Sequence, residues 1–196
     1  MKTWSGIALG VMLFGVLAID YATAHQDDPP QAATKAAALN EPTRSTPGRN
    51  EWNKGREPKD WWGEIVRYHG HMGPWNVMGW RMGRAALREL DAQWGDHSLE
   101  IVCHLPLATP YTCLADGLTV ATGNSIGRLD IRLAEEQTTQ TLHVSVRRKG
   151  GGPALEFWPN PGYITQIERR PVSEMEAFSH RSAEMKEPEL FTVKRY

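Results

Sequence analysis

Between Pro74 and Trp94, large or apolar residues recur as Trp75, Met78, Met82, Ala85, Ala86, Leu90 and Trp94. That i, i+3, i+4 spacing predicts an amphipathic helix with one buried stripe. Pro74 suits its first turn, where a backbone N–H has no helical partner, and Gly95 marks its end. Gly79 and Gly83 stand on one side of it, and each costs roughly 1 kcal/mol against alanine. Two glycines at that spacing predict a second backbone packed closely against the helix. Upstream, Asp60 is placed to cap a short helix carrying Trp61, Trp62, Ile65, Val66 and Tyr68. Downstream, the alternation from Ser98 to Leu105 predicts a strand. Cys113 to about Thr122 reads as a short helix, and Gly123 to Gly127 as a tight turn. Leu129–Leu133 and Thr141–Val146 alternate apolar with polar residues and are expected to pair with each other. Ala154–Trp158 is a further strand, Pro171–Met185 a helix and Leu190–Tyr196 a closing strand. Helices and strands mix without a βαβ rhythm. The expected fold class is therefore α+β, a single domain with a mixed or antiparallel sheet packed against the long glycine-containing helix and shorter helices.

This pattern begins near Lys59, and the chain before it reads differently. Lys2 precedes an uncharged, mostly apolar run from Ile7 to Ile19, and Ala22-Thr23-Ala24 fits a small-x-small cleavage site. The run is shorter than the roughly 18 to 20 residues a spanning helix needs. Residues 1–24 are thus expected to be a signal peptide, which implies a periplasmic or secreted protein, with an uncleaved anchor as the alternative. Residues 25–58 hold Pro29, Pro30, Pro42, Pro47 and Pro58 and few large apolar groups. Such a tract cannot bury enough surface to offset its ordering entropy and reads as a linker. The folded domain is expected to span 59–196.

Composition narrows the function classes. With 196 residues, 40% of them hydrophobic, the chain suffices for one core. The net charge of -1 offers no basic surplus for nucleic acid. The run Arg147-Arg148-Lys149 before three glycines reads as a solvated loop.

Candidate chemistry concentrates in two stretches. Tyr68-His69-Gly70-His71-Met72-Gly73-Pro74-Trp75 places two imidazoles around a glycine just ahead of the long helix. Cys113-Leu114-Ala115-Asp116-Gly117 opens the short helix. His71 and Cys113 are both expected at helix N-termini, where the dipole disfavours an imidazolium and favours a thiolate. Neutral histidine and ionised cysteine are the metal-binding forms. Asp116 has two readings: a cap for the short helix, or an acceptor that orients a ligating histidine or binds the metal itself. Cys113 also has two readings, a ligand or a disulfide with Cys103 across the Pro106–Pro110 loop.

Together these residues carry a resemblance. The first stretch, continued by Met78-Gly79-Trp80-Arg81-Met82-Gly83-Arg84, resembles the opening motif of the E-subunit family of formylmethanofuran dehydrogenase. The second, continued to Thr122-Gly123-Asn124-Ser125-Ile126-Gly127-Arg128, is similar to that family's Cys-x-x-Asp-Gly helix and its glycine-bounded turn. The likeness covers about Trp61 to Val146. It implies an α+β fold and a metal site drawn from His69, His71 and Cys113, with Asp116 beside them. Arg128 replaces the turn lysine and keeps its charge, and is the candidate contact for a small anionic ligand. Gly73 stands where some members carry another cysteine. No cysteine follows Cys113, so the C-terminal zinc ribbon of many members is not expected in these residues.

The expected function is an exported metal-binding domain with an accessory or small-ligand role. Two histidines and one cysteine leave an open coordination position. Mixed nitrogen–sulfur ligation suits zinc first, then nickel, iron or copper. The alternatives are a metal-assisted hydrolase and a non-catalytic partner module of a larger redox enzyme, with a homodimer as one assembly state. In the partner module the eight tryptophans would supply an interface.

Overall fold

A computed structural model describes residues 53–196. The expected signal peptide and most of the expected linker lie outside the described residues. Asp60 caps the first helix, α1 (Trp61–His69), by accepting the Gly63 N–H at 2.8 Å. Gly70, in the left-handed region at φ 97°, ends it. Gly73 and Pro74 start α2 (Pro74–Glu89). The apolar stripe of α2 is fully buried: Trp75, Met78, Met82, Ala85 and Ala86 are at most 2% exposed.

The strands are β1 (Leu99–Leu105), β2 (Ile131–Glu135), β3 (His143–Arg148), β4 (Ala154–Pro159) and β5 (Phe191–Arg195). They form one mixed sheet in the order β2-β1-β3-β4-β5. Between them run α3 (Cys113–Thr122), α4 (Pro161–Glu168), α5 (Met175–Glu184) and α6 (Glu187–Leu190). Leu99, Ile101, Cys103 and Leu105 of β1 point into the core with Val144, Val146, Leu155 and Phe157. The same core takes the buried sides of α2 and α3, so the helices cover one sheet face. The intervening positions, among them His104, His143 and Trp158, lie on the other face and are half-buried. The α+β single-domain expectation holds.

Several boundaries and partners differ from the pattern-based reading. The helix expected to reach Trp94 stops at Glu89. Asp91 adopts φ 47°, and Arg148 donates to the carbonyls of Leu90 and Asp91 at 2.9 and 3.2 Å, capping the freed end. The run Arg147-Arg148-Lys149 is accordingly not a solvated loop: Arg147 pairs with Glu100 and Lys149 with Asp130. The expected pairing of the segments around Leu133 and Val144 does not occur. β1 stands between them, parallel to β2 and antiparallel to β3. Alternation marks the buried face of a strand and is silent about its neighbour. α4 is an addition to the expected elements, although Asn160 accepts the Gly162 N–H and Pro161 opens the helix.

α2 and α3 cross at very short distance. A Cβ built on Gly79 would lie 2.0 Å from the Leu114 carbonyl oxygen, and one on Gly83 would lie 2.6 Å from the Ala121 Cβ. Gly117 of α3 answers them, since its Cβ would meet the Asn76 carbonyl oxygen at 2.1 Å. This contact fixes where the starts of the two helices meet, and both motif stretches sit there.

Candidate metal centre

The positions of the motif residues follow from these two helix starts. His69 is the last residue of α1, and the left-handed Gly70 turns the chain so that His71 follows on the same side. The two rings lie 4.7 Å apart between centroids. His69 Nδ1 meets Asp116 Oδ2, one turn into α3, at 2.6 Å. Asp116 therefore spans the two stretches rather than capping α3. The other ring nitrogen, His69 Nε2, is buried and has no hydrogen-bond partner. A buried polar atom without a partner is costly. A histidine whose Nδ1 is held by a carboxylate and whose Nε2 is bare is the arrangement that second-shell carboxylates produce at metal sites.

Cys113 is the first residue of α3 and is 7% exposed. With His71 it lines a cavity of about 480 Å³ whose other walls include Trp62, Met72, Trp75 and Met175. Burial, then the charge of Asp116, pushes the Cys113 thiol pKa up, against a lowering backbone hydrogen bond. Ionising this thiol would require a cation beside it. The disulfide alternative is not realised: Cys103 and Cys113 are both free. Cys103 faces the core of β1, and burial raises its pKa to about 12.

Asn76, at the third position of α2, belongs to neither set of candidate residues, because an amide in a helix carries no metal-binding signature. Its Oδ1 accepts the Gly73 N–H at 3.0 Å and its Nδ2 donates to the Cys113 carbonyl at 2.9 Å. One fully buried side chain thus links the histidine stretch to the cysteine stretch. Glu176, far downstream on α5, lines the same cavity as His71 and Cys113. Glu64 does not join them, because it pairs with Arg67. Arg128 is also elsewhere: it donates to Asp130 at 3.1 Å and does not line the cavity. Among the described residues, no three His, Cys, Asp or Glu side chains converge tightly enough to hold an ion as they stand. The structure brings His69 to Asp116 and to His71, and sets Cys113 on the cavity wall that His71 shares.

A comparison with curated proteins finds no match. The family model for FmdE, described as molybdenum formylmethanofuran dehydrogenase operon, matches residues 68–192. That span contains both motif stretches and most of the sheet, and the chain belongs to the FmdE family.

Proposed function

We propose that this protein is an exported metal-binding domain whose ion is held by His69, His71 and Cys113, with Asp116 orienting His69. The observation that carries this reading is the bare, buried His69 Nε2 opposite a carboxylate-bound Nδ1. A water needs two or more polar partners to settle at a buried site, and a bare imidazole nitrogen offers it one. The donor chemistry, two imidazoles and a thiol, suits zinc first and nickel, iron or copper next. The bound ion would supply a positive charge and an open coordination position. The chain supplies the cavity beside it, walled by Trp62, Met72, Trp75 and Met175. Export rests on the N-terminal pattern alone.

The test is elemental analysis of the purified mature protein. We expect about one metal per chain, lost in His69→Ala and in Cys113→Ser. Asp116→Asn should retain the fold and weaken the metal by about 10- to 100-fold. A metal-free wild type that takes up no zinc in competition with a chelator would overturn the reading.

A second reading has its own support. The family is described by the operon of a molybdenum formylmethanofuran dehydrogenase, which suits a partner module of a larger redox enzyme. Trp61 and Trp80 stack at 3.9 Å and Trp62 stacks on His180 at 4.2 Å, all half-buried or exposed. Aromatic clusters of this kind are enriched at interfaces. Co-purification with a larger enzyme, lost in Trp80→Ala with the metal retained, would favour it. Glu176 in the cavity also gives a metal-assisted hydrolase the carboxylate it needs as a base.

A further inference from the structure

The open face of the sheet carries a row of stacked rings. His104 of β1 and His143 of β3 are cross-strand partners, with centroids 4.1 Å apart and planes 6° from parallel. His143 stacks in turn on Trp158 of β4 at 4.4 Å and 12°. Burial, then His143, pushes the His104 pKa down, against the charges of Glu136 and Glu156. The indole of Trp158 is fixed at its edge as well, donating to Glu156 at 3.0 Å. β5 lies on the far side of β4 from β3, so the second indole face looks toward Thr192 and Lys194. The Lys194 ammonium stands over it, 4.9 Å from the ring centroid. Lys194 makes no ion pair among the described residues.

That second face opens into a cleft of about 630 Å³. This is a volume typical of small-molecule sites. Trp158, Thr192 and Lys194 form one wall, and Gln140, Asn160 and Glu168 contribute polar groups to the rest. The cleft lies apart from the one lined by His71 and Cys113, with which it shares no residue.

We propose that this cleft binds a neutral saccharide, with one pyranose ring seated on the open face of Trp158. The electron-rich indole face attracts partial positive charge, as the ammonium over it shows, and the C–H face of a sugar ring presents such charge. The ring is held rigid from behind by His143 and at its edge by Glu156, so little ordering cost falls on binding. Gln140 and Thr192 both donate and accept, as hydroxyl recognition requires. One cation and one carboxylate, Lys194 and Glu168, leave the cleft without the charge surplus an ionic ligand would need. Lys194 is exposed, and its ammonium is a donor for a sugar oxygen.

The experiment is calorimetry on the full chain with cellotriose, maltotriose and chitotriose, and with AMP as a planar anionic comparator. We expect one trisaccharide to bind with Kd of about 1 mM or tighter. Trp158→Ala should weaken it by at least about tenfold. Thr192→Tyr, at an exposed position, fills the space beside the indole without touching the core, and should do the same. Absence of binding by all three sugars up to about 10 mM, unchanged affinity in Thr192→Tyr, or binding of AMP alone would each overturn the proposal.

Discussion

Asn76 has neither charge nor reactive atom, yet the two halves of the candidate site hang on it. Its amide joins Gly73 to Cys113, and the residue is fully buried. Removing the amide leaves the half-buried Gly73 N–H without its partner and takes one of two donors from the Cys113 carbonyl, which keeps its bond within α3. A donor left without a partner costs roughly 1–3 kcal/mol when buried. Asn76→Ala should therefore lower stability by about 1–3 kcal/mol in urea unfolding. Asn76→Asp keeps an acceptor for Gly73 but sets a buried carboxylate against the Cys113 carbonyl, and should destabilise at least as much as Asn76→Ala. A variant as stable as the wild type would show that the two stretches are held together by other contacts. His69 makes the complementary case. Its bond to Asp116 fixes one nitrogen, and the geometry of that bond decides which nitrogen is left for a ligand.

At the scale of elements, the crossing of α2 and α3 places these residues. Gly117 is the sharpest test of it. A methyl there would meet backbone atoms, the Asn76 oxygen at 2.1 Å and the Trp80 nitrogen at 2.8 Å. Neither atom can move without separating the helices. Gly117→Ala should cost about 3 kcal/mol, whereas Gly127→Ala, with no atom within 4 Å, should change stability by less than about 0.5 kcal/mol. Equal thermal shifts in the two variants would remove close packing as the cause. The Gly79 and Gly83 side of this crossing is legible from spacing alone, because glycines interrupting an apolar stripe need a packing reason. The partner glycine is legible only as part of a motif. Strand faces follow from alternation, but strand neighbours do not, since β1 inserts between β2 and β3 through contacts far apart in sequence. α4 escapes a pattern search because its eight residues offer only Tyr163, Ile164 and Ile167 as a stripe. In the site, His69, His71, Cys113 and Asp116 stand in two local stretches and can be read from them. Glu176 cannot, because only the folding of α5 brings it to the cavity. The ladder of His104, His143 and Trp158 is equally hidden, as it depends on register across three strands.

For the whole molecule, the most consequential charge lies away from both clefts. Asp130, 2% exposed, receives Lys149 at 2.5 Å, Arg128 at 3.1 Å and His97 at 3.0 Å. His97 also meets Asn53 at 3.1 Å. The cluster thereby ties together the approach to α1, the lead into β1, the turn before β2 and the end of β3. Burial pulls the Asp130 pKa up, but Lys149 and then Arg128, with His97, outweigh it and hold the carboxyl below its ordinary value of 3.8. A group whose folded pKa is depressed stabilises the fold above its unfolded pKa. That contribution is lost as pH falls through the lower folded value. Asp130→Asn keeps the shape and removes the charge, leaving three cationic or polar partners around a neutral amide. Near pH 7 it should be less stable than the wild type by about 2–4 kcal/mol. The gap should narrow below about pH 4 and close once the wild-type carboxyl is protonated. Because the carboxyl is buried, salt should change the gap little. Urea midpoints of both proteins across this range give the answer. A gap that stays constant, or widens on acidification, would mean that packing of the side chain, and not its charge, holds these four segments together.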